Sequence, residues 1–172
     1  IDNAAELSRE GFELEAAWLI TDRIQISGNY SYIGGSYDSF PPYLGLTITP
    51  TDGLAPENSF YAALDWDLIR RGKHNVNFQL SGNYQDETIS IGASQSLYTA
   101  QGAPQIPVNF QQPSNQSRTL VNTRLTYSYS GDNGTNFSVS AWGKNITDED
   151  YRTFGYNLGA DLGLPVHQWG DP

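Results

Sequence analysis

The sequence contains no cysteine and only two histidines, and this narrows the chemistry it can perform. Without cysteine there is neither a disulfide framework nor a thiolate metal site. His74 and His167 do not have the spacing of zinc ligands. A nucleophile elbow, a phosphate loop and a dinucleotide fingerprint are also missing. We therefore predict no catalytic residue, no metal site and no cofactor.

Positive charge is scarce as well. Nine Lys and Arg residues stand against 19 Asp and Glu residues, which gives the 172-residue chain a net charge of -10. No basic stripe is present to neutralise phosphates, so nucleic acid is excluded as a partner. The three consecutive carboxylates Asp148, Glu149 and Asp150 could attract a cation, although a solvated loop explains them more simply.

No run of about 18 apolar residues occurs, and the mean hydropathy is -0.49. These two facts exclude a membrane protein built from helices. They do not exclude one built from strands, because every second residue of such a strand is polar.

What the sequence does contain is strict alternation of apolar and polar residues. In Ile24–Tyr32 the even positions are Ile, Ile, Gly, Tyr and Tyr, and the odd positions are Gln, Ser, Asn and Ser. Asn75–Gln85 alternates in the same way. Successive side chains of a strand point to opposite faces, so each segment has one apolar face and one face rich in amides. Segments of about ten residues can cross a bilayer when tilted, which predicts a membrane β-barrel with lipid outside and water inside.

Six strands follow from this pattern along the whole chain. We predict them at residues 5–19, 24–37, 59–68, 74–87, 116–129 and 136–146, with loop-like chain from Thr147 onward. All nine prolines lie outside these strands, and the connections alternate between short and long. The predicted fold is therefore all-β, an antiparallel up-and-down meander with short periplasmic turns and long extracellular loops.

Aromatic residues form 13% of the chain, and their positions agree with this topology. One band is expected near the outer strand ends, at Tyr30, Tyr32, Phe60 and Tyr84. A second band is expected near the inner ends, at Trp18, Trp66, Tyr127, Tyr129 and Phe137. Membrane interfaces select two such bands. A soluble sandwich is the alternative, but its core strands rarely carry five or six amides on the other face.

Polar residues of the predicted inner face and aromatic residues of the loops are the candidates for contact with a ligand. The inner face carries Glu13, Glu15, Asp65, Asp67 and Arg124, which could hydrate a lumen, touch an internal plug or line a substrate path. The loop candidates for ligand binding are Tyr43, Tyr98, Phe110 and Tyr156. Aromatic rings can stack on a ligand, but ordinary loop packing would explain them equally well.

Several motifs resemble those of TonB-dependent outer-membrane receptors. Gly11–Glu15, followed by the turn at Asp22, is similar to a late barrel hairpin of that family. Leu54–Asn58 resembles the entry into a downward strand, and Trp142–Tyr151 resembles the signature near the end of the penultimate strand. Gly170–Pro172 resembles the approach to the last strand. The resemblance covers nearly the whole chain.

The resemblance implies a transporter of the bacterial outer membrane that contacts the lipid bilayer and carries out no bond chemistry. Extracellular loops would capture a scarce small-molecule ligand, a ferric siderophore first, or a vitamin or glycan. An N-terminal plug domain would then move when the TonB complex pulls on it. Barrels of this class have about 22 strands, and the smallest closed barrels have about eight. We therefore expect residues 1–172 to be a C-terminal barrel fragment without plug or final strand, and the natural gene to continue for about ten residues.

Two other functions remain open from the sequence. One is a passive outer-membrane channel, and the other is a soluble carbohydrate-binding β-domain. An upstream reading frame that encodes a plug domain would distinguish the receptor from both.

Overall fold

The structure is a computed structural model of the chain, and it describes residues 6–39, 55–89, 114–157 and 165–170. Regular structure in these ranges consists of strands. In chain order they are β1 (Glu6–Thr21), β2 (Ile24–Ser39), β3 (Asn58–Arg71), β4 (His74–Gln85), β5 (Thr88–Ile89), β6 (Ser114–Asn115), β7 (Arg118–Ser130), β8 (Asn136–Gly143), β9 (Arg152–Asn157) and β10 (Pro165–Trp169).

Six of these strands form one antiparallel sheet. Their spatial order is β1, β2, β3, β4, β7 and β8, which is also their order along the chain. The short strands form two separate pairs, β5 with β6 and β9 with β10. The predicted all-β, up-and-down meander is confirmed.

Cross-strand register sorts the residues onto two faces as the alternation predicts. Ile26, Leu64 and Leu80 are successive partners across β2, β3 and β4. The sequence neighbours of these residues are polar partners: Gln25 lies opposite Asp65, and Asp65 lies opposite Gln79. Residues directly opposite each other project to the same side of a sheet. We call the two sides the apolar face and the polar face, and the predicted sharing of one face by the apolar residues is confirmed.

Tight turns join the strands at one end of the sheet, which we call the turn end. Asp22 and Arg23 link β1 to β2. Gly72, at φ 54°, lies in the β3–β4 turn, and Gly134, at φ 81°, lies in the β7–β8 turn. These two positions favour glycine because most side chains make the left-handed backbone conformation costly. The opposite end of the sheet, where the long connections begin, we call the loop end.

The sheet is a single layer without a core beneath it. Among the described residues no hydrophobic side chain is buried. Leu14, Trp18 and Val139 on the apolar face are 62%, 66% and 64% exposed. Large apolar surfaces are stabilised only when they leave water, so this face requires an apolar neighbour. Within the described part of the chain there is no helix of the length and hydropathy needed to cross a membrane.

Several strand boundaries differ from the prediction. β1 and β2 each extend two residues further, to Thr21 and Ser39. β3 reaches Arg71 because a bulge at Leu68 shifts the register so that Ile69 lies opposite Val76. β4 is two residues shorter than predicted, β7 begins two residues later, and β8 ends three residues earlier.

The prediction of loop-like chain after Thr147 was wrong for two segments. β9 and β10 pair as an antiparallel hairpin, with Tyr156 opposite Val166. Neither strand has a clear strand pattern in the sequence, because Gly155 interrupts β9 and Pro165 is the first residue of β10. Proline is tolerated as the first residue of a strand, where its missing N–H matters least. A second short pair, β5–β6, lies at the ends of the long connection between β4 and β7.

Candidate functional site

Aromatic rings cluster on the apolar face at the loop end. The Phe12 ring centre lies 5.6 Å from that of Tyr30 and 5.9 Å from that of Tyr32. Tyr30 is opposite Phe60, which is opposite Tyr84, so the cluster extends across four strands. Tyr30, Tyr32, Phe60 and Tyr84 thus lie together, as the sequence predicted.

A second aromatic cluster lies on the same face at the turn end. The Phe137 ring centre is 5.9 Å from that of Tyr127 and 5.5 Å from that of Tyr129. His74 joins them, with its Nδ1 2.8 Å from the Tyr127 hydroxyl and its ring 5.2 Å from that of Tyr129. His74 is exposed at the start of β4, beside the turn, and it contacts both tyrosines there.

The two clusters are separated by the height of a hydrocarbon layer. Tyr84 and His74 lie ten positions apart in β4, which is about 34 Å along a strand. At the tilt of about 40° found in membrane barrels, this corresponds to roughly 25 Å, the height of their apolar band. The apolar face therefore has the dimensions of a surface in contact with lipid.

A groove of small residues crosses the apolar face between the clusters. Ala16, Gly28, Ala62 and Gly82 are successive cross-strand partners, and the groove that they floor has a volume of about 640 Å³. Gly28 is needed there because a Cβ at this position would lie 2.7 Å from the carbonyl oxygen of Tyr61. The lining is almost wholly apolar, so the groove fits hydrocarbon chains and offers little that could select among them.

Asp86, which follows β4, forms a hydrogen-bonding centre at the loop end. Its carboxylate accepts hydrogen bonds from the Tyr84 hydroxyl at 2.6 Å, the Asn58 amide side chain at 2.6 Å and the Asn58 backbone N–H at 2.9 Å. Asn58 Oδ1 in turn accepts from the Tyr30 hydroxyl at 2.6 Å. The bonds from Tyr84 and then Asn58 hold the pKa of the Asp86 carboxyl below its usual range. One carboxylate thus fixes two tyrosines and the start of β3.

On the polar face, two carboxylates form a ladder with amide side chains. Asp65 accepts from Asn77 Nδ2 at 2.7 Å and from Gln79 Nε2 at 2.8 Å. Asp67 accepts from Asn77 at 3.1 Å and is ion-paired with Arg70. The structure places Asp65 and Asp67 on the polar face as predicted, with their oxygens occupied by neighbouring side chains.

Arg124, Trp142 and Lys144 line a cleft further along the polar face. Arg124 is directly opposite Trp142 in the β7–β8 register, and the Lys144 Nζ lies 5.8 Å from the centre of the Trp142 ring. Gln79 and Asn122 contribute amides to the lining, and the cleft has a volume of about 560 Å³. Sequence reasoning had placed Arg124 on this face but missed Trp142 and Lys144. The available signal was the position of Trp142 in phase with the polar residues of β8.

The signature Trp142–Tyr151 folds into a turn closed by Asn145. This buried residue has φ 46°, its Nδ2 donates to the Glu149 carbonyl at 3.0 Å, and its Oδ1 accepts from the Glu149 N–H at 3.0 Å. The Asn145 N–H donates to Asn122 Oδ1 at 3.0 Å, which ties the turn to β7. The acidic residues that follow Asn145 are thus part of a hydrogen-bonded turn.

Tyr151 connects this turn to the rest of the sheet. The Arg118 guanidinium lies 4.5 Å from the centre of the Tyr151 ring, and it donates to the Arg152 carbonyl at 3.3 Å and to Gln85 Oε1 at 3.0 Å. Gly170 donates its N–H to the Tyr151 carbonyl at 2.9 Å, and any side chain at position 170 would collide with the Tyr151 ring.

Most of the predicted ligand-binding aromatics fall outside the described residues, so their role stays a prediction. Tyr43, Tyr98 and Phe110 lie outside the described residues, and Tyr156 lies in β9. Glu13 and Glu15 lie on the polar face, opposite Ser31 and Asn29. In the ranges described, no group of three or more His, Cys, Asp or Glu side chains could hold a metal ion.

Comparison with known proteins gives a structural match. No protein-family model matches the sequence, and no curated protein matches it. Among solved structures, the crystal structure of the ferric yersiniabactin uptake receptor FyuA from Yersinia pestis matches with a TM-score of 0.63 at 18% sequence identity. The likeness shows the fold. It covers 98% of this chain and 22% of the receptor chain, so this chain spans less than a quarter of that receptor.

Proposed function

We propose that residues 1–172 form the C-terminal part of the wall of a transmembrane β-barrel in the bacterial outer membrane. The observation that carries this proposal is the two-faced single-layer sheet, whose apolar face is exposed while its polar face is lined with amides and carboxylates. A membrane barrel satisfies both faces at once, with lipid on one side and water on the other. The fold shared with FyuA supports the same conclusion.

The protein containing this wall would be a TonB-dependent receptor that imports a scarce ligand. FyuA is named for uptake of a ferric compound, which favours a ferric siderophore over a vitamin or a glycan. The ligand would be captured at the loop end, and the TonB complex would act through a plug domain inside the barrel. The proposed role is therefore transport, and the likeness to an uptake receptor supports it.

Tryptophan emission tests whether the apolar face contacts lipid. Trp66 lies on the apolar face and Trp142 on the polar face. Two variants of the intact protein, each retaining one of these residues with the remaining tryptophans replaced by phenylalanine, are placed in vesicles of brominated phospholipid. We expect strong quenching of Trp66 and little quenching of Trp142, which aqueous acrylamide should quench instead. Equal quenching of the two by brominated lipid would contradict the membrane assignment and favour a soluble domain.

Uptake of radioactive iron tests the transport step. Cells that lack this protein should fail to take up iron from one ferric siderophore of a panel, and cells that lack TonB should fail in the same way. A passive channel is the second candidate, because the polar face could equally line an open pore. In that case, uptake would persist without TonB, and the receptor proposal would be wrong.

A further inference from the structure

The cleft formed by Arg124, Trp142 and Lys144 holds two positive charges without carboxylate partners. Some basic side chains of this acidic chain have a carboxylate partner, as Arg70 has in Asp67 and Lys73 in Asp132. Among the described residues neither Arg124 nor Lys144 takes part in an ion pair or a hydrogen bond. Two uncompensated cations in one cleft create a local positive potential in a protein whose net charge is -10.

The nearest acidic side chain in the same cross-strand row does not neutralise this charge. Asp65 lies two strands from Arg124, with Gln79 between them. Its two oxygens accept hydrogen bonds from Asn77 and Gln79. The amides therefore occupy the carboxylate oxygens, and Asp65 forms no ion pair with Arg124 or Lys144.

The rest of the lining indicates the shape of that ligand. Trp142 is 63% exposed, lies opposite Arg124 and has the Lys144 Nζ 5.8 Å from its ring centre, so a flat ring can stack on its exposed part beside both cations. The Arg124 guanidinium is a planar fork that matches a carboxylate, whereas Lys144 acts as a point charge. Asn122 uses its oxygen for the Asn145 N–H, which leaves its amino group to donate to a ligand. A volume of about 560 Å³ is typical of a site for a small molecule.

We propose that this cleft is a binding subsite for a small anion that carries a planar aromatic group, such as an aryl carboxylate. The subsite lies on the barrel wall, on the face that a ligand would follow through the lumen. This inference rests on the proposed function, because only in a barrel does the polar face become such a route. It assigns a ligand class, which the fold alone does not.

Calorimetry on the intact protein in detergent micelles tests the proposal with three probes. 2-Naphthoate has the ring and the charge, 2-naphthamide has the ring without the charge, and acetate has the charge without the ring. We expect 2-naphthoate to bind at least about tenfold more tightly than either of the others. Equal binding of the amide would overturn the requirement for an anion. Equal binding of acetate would overturn the requirement for a ring, and no binding of 2-naphthoate would overturn the subsite.

Substitutions then locate the binding. Arg124→Gln and Lys144→Gln should each weaken 2-naphthoate binding roughly tenfold. Arg124→Lys keeps the charge without the fork, so its loss should be smaller, which also separates loss of contact from loss of folding. Arg71→Gln is the matched control, because it removes one exposed charge near a turn, away from the cleft. Equal losses from Arg124→Gln and Arg71→Gln would place the binding elsewhere.

A failure of the subsite proposal can be distinguished from a failure of the barrel proposal. If brominated lipid quenches Trp66 but 2-naphthoate binding is insensitive to Arg124 and Lys144, only the subsite is wrong. If 2-naphthoate binds in the cleft but Trp66 does not contact lipid, the barrel proposal fails, and a role of the subsite in uptake fails with it.

Discussion

A lysine in place of Leu80 tests the assignment of the two faces. Leu80 lies on the apolar face between Leu64 and Thr123. It is four positions from Tyr84, which is about 14 Å along β4 and roughly 10 Å in depth at a tilt of about 40°. In an apolar band about 25 Å tall, that depth is close to the midplane. A lysine there should reduce the free energy of unfolding by about 2–4 kcal/mol.

Gln79→Lys is the matched control, one residue earlier on the opposite face. The Gln79 side chain is exposed and donates to Asp65 Oδ2 at 2.8 Å. A lysine would keep a donor near this carboxylate in a hydrated environment. We therefore expect its effect on the free energy of unfolding to stay below about 1 kcal/mol.

Both free-energy changes can be measured by guanidinium-induced unfolding of the intact protein in phospholipid vesicles, followed by tryptophan emission. The transition midpoints should differ while the slopes agree, because both variants expose similar surface on unfolding. Equal destabilisation by the two lysines would refute the assignment of faces. A larger effect at Gln79 would mean that the lipid and water sides are exchanged.

Three further predictions concern the ends of the strands. Because these 172 residues contain no cysteine, Asp22→Cys and Glu87→Cys each add one thiol to the protein. On intact cells an impermeant maleimide should label Glu87→Cys above the level of the unsubstituted protein and should not do so for Asp22→Cys; the reverse pattern would invert the topology. Asn145→Gly keeps the φ of 46° but loses two side-chain hydrogen bonds, whereas Asn145→Ala loses the same bonds and also strains the backbone. In thermal unfolding the alanine variant should therefore be less stable than the glycine variant by about 1 kcal/mol. Equal midpoints for the two variants would contradict this. Because the pKa of Asp86 is lowered in the folded state, its charged carboxylate stabilises the fold above the unfolded-state pKa of about 4, and this stabilisation is lost as the pH falls through the lower folded-state pKa. The unsubstituted protein should therefore be more stable than Asp86→Asn at pH 7, and this difference should shrink below about pH 4. A constant difference from pH 7 to pH 3 would argue against this role.

The sheet and its two faces could be predicted from the sequence because alternation is a local signal. The alternation within each strand shows which of its residues face water, and the short turns then determine how neighbouring strands are aligned. The bulge at Leu68 could not be predicted, since one additional residue leaves no mark in a short apolar run. The β9–β10 hairpin could not be predicted because Gly155 and Pro165 are residue types that are typical of loops.

The cleft could be predicted only in part. Alternation placed Arg124 on the polar face, but its neighbours come from a different strand. Trp142 lies opposite Arg124 because of the exact turn between β7 and β8, where the Gly131 N–H donates to the Thr135 carbonyl at 2.7 Å. A turn one residue longer would have put another side chain there, and the sequence pattern does not fix that geometry.

The hydrogen bonds around Asp86 also make the stability of the sheet less dependent on the length of the connection between β2 and β3. Asn58 and the Glu57 carbonyl, which accepts from the Ile33 N–H at 2.9 Å, fix the end of the connection between β2 and β3. With its ends fixed, doubling the length of such a connection adds only about 0.6 kcal/mol of closure entropy. Insertions between Ser39 and Asn58 should thus be nearly neutral for the stability of the sheet, so the length of this connection can change while the strands stay the same.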